Sequence, residues 1–479
     1  VELAKRAAVP ADRSALRRAS LGPGARRPAG RNGFRPSPAS HHIGATMTRD
    51  IIILAGIAMT AAPGAATAQI SDATDGLGRT SPSSAFGRER NVSVLQRDHP
   101  EFDPVPARIG TFELLPSVAV ATGYDDNLFA VNAPRIDDAY LHVVPRLKIT
   151  RPSPDLKLAL NGQFDLTRYA SRTSENQTNY RLDGSAQSII SNATTLELSA
   201  LHGRFAQERT DPDSPGVAQR PIRFTVSEVN TVLTHVINRL RLRGLMNIER
   251  RDFRNSRDAL GGVIDQNFRD RTTVTSTAIG EYALSPSIAL FGTATYNVRD
   301  YRTRIGPVPA RDSSGYEVAL GSSFELGVKV RGSLRAGYLQ QNYRSPFFED
   351  IGGVLVRGDI EYFLTPLVTL SATIDRSVNE TGILNASGFL STTASVRADY
   401  ELLRNLILSA SIEKEDRNFS NIDRNDDRWA YRASGTYRLN PRIALRADML
   451  HRSQSSVGAA SGRQFEKTRA SIGVTFSGL

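Results

Sequence analysis

Arginines and carboxylates at even spacing are the side chains in this chain best placed to do chemistry. Arg357, Asp359 and Glu361 follow one another at two-residue steps, as do Arg397, Asp399 and Glu401. Arg241 with Arg243, Arg331 with Arg335, Arg432 with Arg438, and Arg446 with Asp448 keep the same parity. On an extended strand, even spacing places all members of a row on one face. A row of guanidinium forks suits two-point contact with uronic carboxylates or phosphates, and Arg rows lining a pore favour anions. The same groups can instead pair across strands and fill an interior. Usage favours that plainer reading, because 54 arginines against six lysines is a bias of the whole chain and not of these rows alone.

No covalent or metal chemistry is expected. The chain has no G-x-S-x-G elbow, no P-loop, no G-x-G-x-x-G and no H-E-x-x-H. His99, His142, His202, His235 and His451 are scattered and read as structural residues. Asp125-Asp126-Asn127 and the run Asn421–Asp427, with Asp423, Asp426 and Asp427, offer oxygen ligands for a hard cation such as Ca²⁺. Both lie where polar turn residues are ordinary, so neither a metal nor a cofactor is assigned. With no cysteine there is no disulfide framework, thiolate zinc site or thiol nucleophile.

The elements that must position the rows are strands. Leu156–Thr167, Ser287–Arg299 and Gly353–Phe363 alternate apolar and polar residues, as strands do and helices do not. Segments of roughly 10–13 residues exceed the usual soluble strand and match a tilted bilayer crossing. Tyr282-Ala-Leu-Ser-Pro286, Tyr362-Phe-Leu-Thr-Pro366 and Tyr437-Arg-Leu-Asn-Pro441 share one turn pattern, with a degenerate copy from Tyr400 to Asn405. Short turns alternate with long polar connections, which delimits about 18 strands, within a range of 16–18 because Phe224–Ile237 alternates poorly. A single antiparallel sheet of that size leaves exposed edges unless it closes.

The expected fold is therefore all-β, a transmembrane antiparallel β-barrel over residues 111–479. Tyr282, Tyr362, Tyr400 and Tyr437 precede short turns on the apolar face, as an interfacial aromatic girdle requires. The lumen would then be lined by Arg241, Arg243, Arg331, Arg335, Arg357, Asp359, Glu361, Arg397, Asp399, Glu401, Arg432, Arg438, Arg446 and Asp448. Phe476 ends the last alternating strand and stands three residues from the C-terminus, displaced from the terminal aromatic that barrel-assembly machinery reads.

Length and charge fit this organisation. The 479 residues carry a net charge of +11, which alone would suggest an acidic partner such as nucleic acid. Nine Lys/Arg against two acids fall in residues 1–46, a Pro/Gly/Ala-rich stretch without periodicity, which leaves +4 from Gln69 onward. No nucleic-acid partner is expected. Residues 47–68 read as a secretory signal: an apolar run from Ile51 to Thr60, then Ala66-Thr67-Ala68 as the cleavage site. Residues 1–46 are accordingly expected to lie upstream of the true start at Met47, and 69–110 to form a periplasmic tail that partly enters the lumen.

Arg97-Asp-His-Pro-Glu-Phe-Asp-Pro104, Gly110-Thr-Phe112 and Gly123-Tyr-Asp-Asp-Asn-Leu-Phe129 together resemble the entry into the barrel of the putative β-barrel porin type 2 family of outer-membrane proteins. The resemblance covers roughly residues 95–479. It implies a Gram-negative outer-membrane barrel, in some members associated with exopolysaccharide or capsule export, and transfers no catalytic residue. Three readings follow: a porin-like conduit, a non-conducting scaffold barrel binding partners through its loops, and, least favoured, an outer-membrane enzyme. The expected partners are outer-membrane lipid, the assembly machinery, and polysaccharide or small anionic solutes.

Overall fold

The computed structural model describes residues 92–478. The upstream stretch 1–46, the signal segment 47–68 and the start of the tail lie outside the described residues. Among the described residues there are twenty-one strands, beginning with β1 (Ala107–Ile109), β2 (Phe112–Asp125), β3 (Asp138–Arg151), β4 (Leu156–Tyr169), β5 (Gln177–Ser191), β6 (Thr194–Ala206) and β7 (Arg223–Ile237). Next come β8 (Leu240–Phe253), β9 (Ser256–Arg257), β10 (Val263–Ile264), β11 (Arg271–Ser285), β12 (Ile288–Tyr301), β13 (Ser313–Leu326) and β14 (Val330–Tyr343). The last are β15 (Ile351–Thr365), β16 (Val368–Asn379), β17 (Phe389–Leu403), β18 (Leu406–Phe419), β19 (Asn425–Asn440), β20 (Ile443–Val457) and β21 (Phe465–Ser477).

Eighteen of these form one antiparallel barrel, closed where β2 pairs with β21 from Ser117↔Ser477 to Asp125↔Arg469. The short β1 folds back on the start of β2, and β9 with β10 makes a small hairpin inside the connection from β8 to β11. Barrel strands run 12 to 16 residues, enough to cross a bilayer at a tilt. Closure satisfies the backbone of both end strands, which lipid could not do.

Connections at one end are tight, such as Asn238–Arg239 between β7 and β8, where Asn238 takes φ 49°. Asn tolerates this left-handed conformation better than most residues. Connections at the other end are long, and by the usual arrangement of such barrels they are the external ones. Apolar side chains line the outer face and are left exposed, among them Leu160, Leu182, Val229, Leu320, Val396 and Ile472. Polar and charged side chains line the inner face and are buried. This is the inversion that a lipid solvent demands.

Phe224–Ile237 belongs to a single strand, β7, and its weak alternation has a cause. The inward residues Phe224 and Val226 pack with Leu201, Phe205, Phe253, and with Ala218 and Ile222 of the preceding loop 207–222. That loop turns into the barrel, so the inner face of this stretch meets apolar surroundings.

The ladder between β15 and β16 stops early. β15 and β16 pair only from Thr365↔Val368 to Arg357↔Asp375, although β15 begins at Ile351 and β16 continues to Asn379. Past the break, Val378 and Leu390 pack on Leu339 and Leu355 of the inner face, so the end of β16 and the start of β17 tuck inside the wall. This end of β16 is held instead by Arg299 of β12, which donates to the Val378 carbonyl at 3.3 Å, while Asn379 reaches back along its own strand to the Ser377 carbonyl at 3.5 Å.

Candidate solute site in the lumen

The predicted lumen residues lie on the inner face, and most are engaged with a partner of opposite charge. Arg241 pairs with Glu281, Arg331 with Glu361, and Arg432 with Glu413. Arg397 and Arg446 hold the acid two residues ahead on their own strands, Asp399 and Asp448. Arg357 bridges two neighbours, Glu317 at 2.9 Å and Asp375 at 2.7 Å. Asp359 accepts from Ser333 at 2.7 Å. Arg335 lies between Leu334 and Ala336 at the level of Arg357 and Gly321 in the register. Arg243 sits two positions from Arg241, and its Nε and Nη2 are buried without an acceptor.

Glu401 and Arg438 reach a different kind of partner. Glu401 receives Arg97, and Arg438 meets Asp103 at 3.1 Å. Arg97, Asp103 and their neighbours belong to the segment before the barrel. In the same segment the Val94 amide donates to Thr369 Oγ1, Gln96 accepts from Arg331, and Val94 and His99 are buried. Residues 92–104 therefore sit inside the short-turn mouth, held by ion pairs to β17 and β19 and by hydrogen bonds to β14 and β16.

The four girdle tyrosines fall at the short-turn end. Tyr282, Tyr400 and Tyr437 are exposed on the outer face, and Tyr362 is half-buried between Val330 and Leu370 in the register. The opposite end carries outward aromatics that the turn pattern did not reveal: Tyr124, Tyr296, Tyr316, Tyr338 and Tyr431. They lie in strand interiors next to long loops, where no recurring motif points to them.

The acidic clusters are occupied by cations of the chain. Asp125 accepts from Lys467 at 2.8 Å, and Asp426 holds Arg424 at 2.6 Å while also accepting from Ser456. Asp427 faces Lys414 at 3.5 Å. Among the described residues, no group of His, Cys, Asp or Glu is arranged to hold a metal ion.

Three inward-folded pieces shape the external half of the lumen. Loop 207–222 is fixed by the buried Arg209–Glu175 pair at 2.6 Å, by Arg452–Glu208 at 2.9 Å, and by Arg463, which donates to the carbonyls of Asp211 and Ser214. Loop 380–388 is held by Arg311, which donates to the carbonyls of Thr381, Ile383 and Ala386, and by Glu380, which receives Arg299 and the Tyr301 hydroxyl. Thr381 joins the two loops through Asp213 at 2.6 Å. The third piece, the turn at Asn267–Arg269, places Arg269 over the Phe253 ring at 4.0 Å.

Burial shifts the loop carboxyls in different directions. Asp211 is raised above the usual aspartate range by burial and by Asp213 beside it. Burial would also raise Glu208 and Glu380, but Arg452 beside the first and Arg299 beside the second hold them below the usual glutamate range.

Beneath these pieces lies a cavity of about 300 Å³. A ladder of hydroxyls, Thr273, Thr275, Thr277 and Thr295, runs down one wall, with Arg271 and Arg428 among the charged groups around it. Its charges nearly balance, because Arg357, Arg417 and Arg299 stand beside Glu317, Glu415 and Glu380. Two guanidiniums keep donors to spare. Glu415 is held by Arg417 through two bonds of 2.7 and 2.8 Å, and Arg428 reaches it only at 3.8 Å. Arg271 makes no ion pair among the described residues and donates to the Arg269 carbonyl at 3.4 Å. Of the predicted residues only Arg357 reaches this cavity. The row Arg271-Thr273-Thr275-Thr277 has the same two-residue spacing, so its inward face was readable; its meeting with Arg428, far along the chain, was not.

Comparison with known proteins places this architecture. No curated protein matches the chain. Among solved structures, OpdL of Pseudomonas aeruginosa is 13% identical, with a TM-score of 0.40 over 77% of this chain and 99% of that one. OpdK with vanillate, from the same organism, is 13% identical at TM-score 0.40, covering 76% and 98%. P. aeruginosa OccK2 (OpdF) in complex with glucuronate is 13% identical at TM-score 0.41, covering 76% and 97%. Likenesses this distant carry no inference about a solute. The model of the family described as putative beta-barrel porin 2 matches residues 99–477. The chain belongs to that family and is a porin-like β-barrel of the bacterial outer membrane.

Proposed function

We propose that the barrel is a narrow conduit for small polar solutes that carry a carboxylate beside several hydroxyls, the chemistry of sugar acids. The observation that carries this reading is the cavity itself. Its threonine ladder offers hydroxyl contacts, and Arg271 and Arg428 retain donors for one anionic group. A volume near 300 Å³ lies at the small end of ligand sites, suited to a monomer or short oligomer. Because the remaining charges are paired, the lumen discriminates by contact more than by a bulk field.

Export of an exopolysaccharide through the same barrel needs more. The segment 92–104 and the inward loops would both have to leave the lumen for a polymer to thread it. That reading is supported by the family resemblance and by the ionic, reversible nature of the contacts holding these pieces.

Conductance and uptake test the proposal together. Purified protein in planar bilayers should conduct, and proteoliposomes should take up a uronic acid faster than the neutral hexose of the same size. R271Q and R428Q should each reduce uronate uptake by about tenfold or more and leave hexose uptake nearly unchanged, as expected for losing one charge-assisted contact of about 1.5–3 kcal/mol. A barrel that passes no current would point instead to a scaffold.

A further inference from the structure

We propose that Arg168, Arg204 and Arg223 form a site on the outer wall for the phosphate of an outer-leaflet lipid headgroup. All three project outward from the loop-side ends of β4, β6 and β7, with β5 between the first two. In the register Arg204 stands opposite Tyr180 and Thr225, and Arg223 opposite Ala206, which makes Arg204 and Arg223 diagonal neighbours on one face. Arg168 donates to Thr178 Oγ1 at 2.9 Å, and Arg204 donates to the Thr178 carbonyl at 3.2 Å. Two guanidiniums thus converge on one residue.

No carboxylate accompanies them. Arg168, Arg204 and Arg223 make no ion pair among the described residues, whereas the neighbouring outward cations Arg250 and Arg302 share Asp252. Like charges gathered without an acid repel one another, and an anion seated among them removes that cost. One donor is left waiting: Arg204 Nε is buried with no acceptor, while the guanidinium lies over the Tyr180 ring at 5.4 Å. The floor of the site is polar and ordered, because Tyr180 Oη meets His202 Nε2 at 3.4 Å and His202 Nδ1 meets Ser227 Oγ at 2.9 Å.

Depth identifies the ligand. Two outward positions down β4 and three down β6 and β7 stand Phe164, Leu198 and Val229, which with Leu182 of β5 are exposed and apolar and belong to the hydrocarbon belt. The arginines stand above that belt, at headgroup level on the external side. An anion bound there faces the bilayer, and the phosphorylated headgroup of an outer-leaflet lipid is the anion that this layer presents. Arginine suits it, since its fork contacts phosphate oxygens in pairs.

The test uses the full chain in detergent micelles, titrated with bisphosphorylated lipid A, with the same lipid after removal of both phosphates, and with inorganic phosphate. The wild type should bind the phosphorylated lipid about tenfold more tightly than the dephosphorylated one. R168Q/R204Q/R223Q should lose that preference, and the corresponding triple lysine variant should keep most of it, which separates lost charge from lost fold. Retention of the barrel is checked by its heat-dependent migration on gels. Equal binding of the two lipids by the wild type, or an undiminished preference in the folded glutamine variant, would overturn the site. So would displacement of the lipid by inorganic phosphate at comparable concentration, since the site would then belong to the free ion.

Discussion

Arginine can hold two acids at once, and the interior of this barrel uses that property repeatedly. Arg357 is the clearest case, joined to Glu317 on one side and Asp375 on the other. Lysine at the same place offers a point charge and no fork. R357A should lower stability by about 2 kcal/mol, because two partly buried carboxylates lose their common partner; R357K should recover part of this. Urea unfolding in micelles measures both, and equal loss in the two variants would show that the fork is irrelevant. At this scale the sequence was legible in one direction only. Two-residue spacing marks which side chains share a face, so the inward rows containing Arg357, Arg397 and Arg446 could be read from the chain. Which acid neutralises which arginine depends on register, and Glu317 with Asp375 could be matched to Arg357 only once the strands were aligned.

Loops and tail decide how much of the lumen is open. The loop 207–222 is anchored through a buried pair, Arg209–Glu175, and removal of either partner leaves a buried charge. R209A should therefore free the loop and produce frequent open-level flicker in single-channel recordings, where the wild type holds steady levels. The pH response has two parts. Asp211 has a raised pKa in the inward loop, so that geometry is favoured as pH falls toward the usual aspartate range of about 4, with Asp213 relieved of its like-charged neighbour and Arg269 and Arg417 the facing cations. Glu208 and Glu380 have lowered pKa values, so the stability they lend is complete above the usual glutamate range and disappears only below it. Conductance should thus fall slightly on mild acidification and rise on stronger acidification; a monotonic rise from neutral pH would contradict the role given to Asp211. The lengths and polar character of these loops were visible in the sequence, and their inward turn was not. The only trace was the faulty alternation around Phe224 and Val226, which carry apolar side chains on the wet face because the loop covers them.

The molecule as a whole is a closed wall with a filling at each end. Number of strands, handing of short turns and long loops, and the outward apolar face all followed from periodicity, since closure is the one arrangement that leaves eighteen antiparallel strands without an edge. The segment 92–104 was harder to place, because a polar tail has no period, and its site depends on Glu401 and Arg438 meeting Arg97 and Asp103. E401Q combined with R438Q should loosen this segment and increase conductance at constant pH, and a double variant with wild-type current would show that the tail does not obstruct the path.

The interrupted ladder between β15 and β16 gives the wall a crease. Most other neighbouring strands are laced along nearly their whole length, so tearing the barrel open there means breaking many bonds together. Here the lacing stops halfway, and the freed end of β16 is held from elsewhere, by Arg299 of β12 at the Val378 carbonyl. A barrel warmed or drawn apart would therefore part early along this line, from the external rim downward, and the amides beside the crease would exchange with heavy water ahead of those in the fully laced wall.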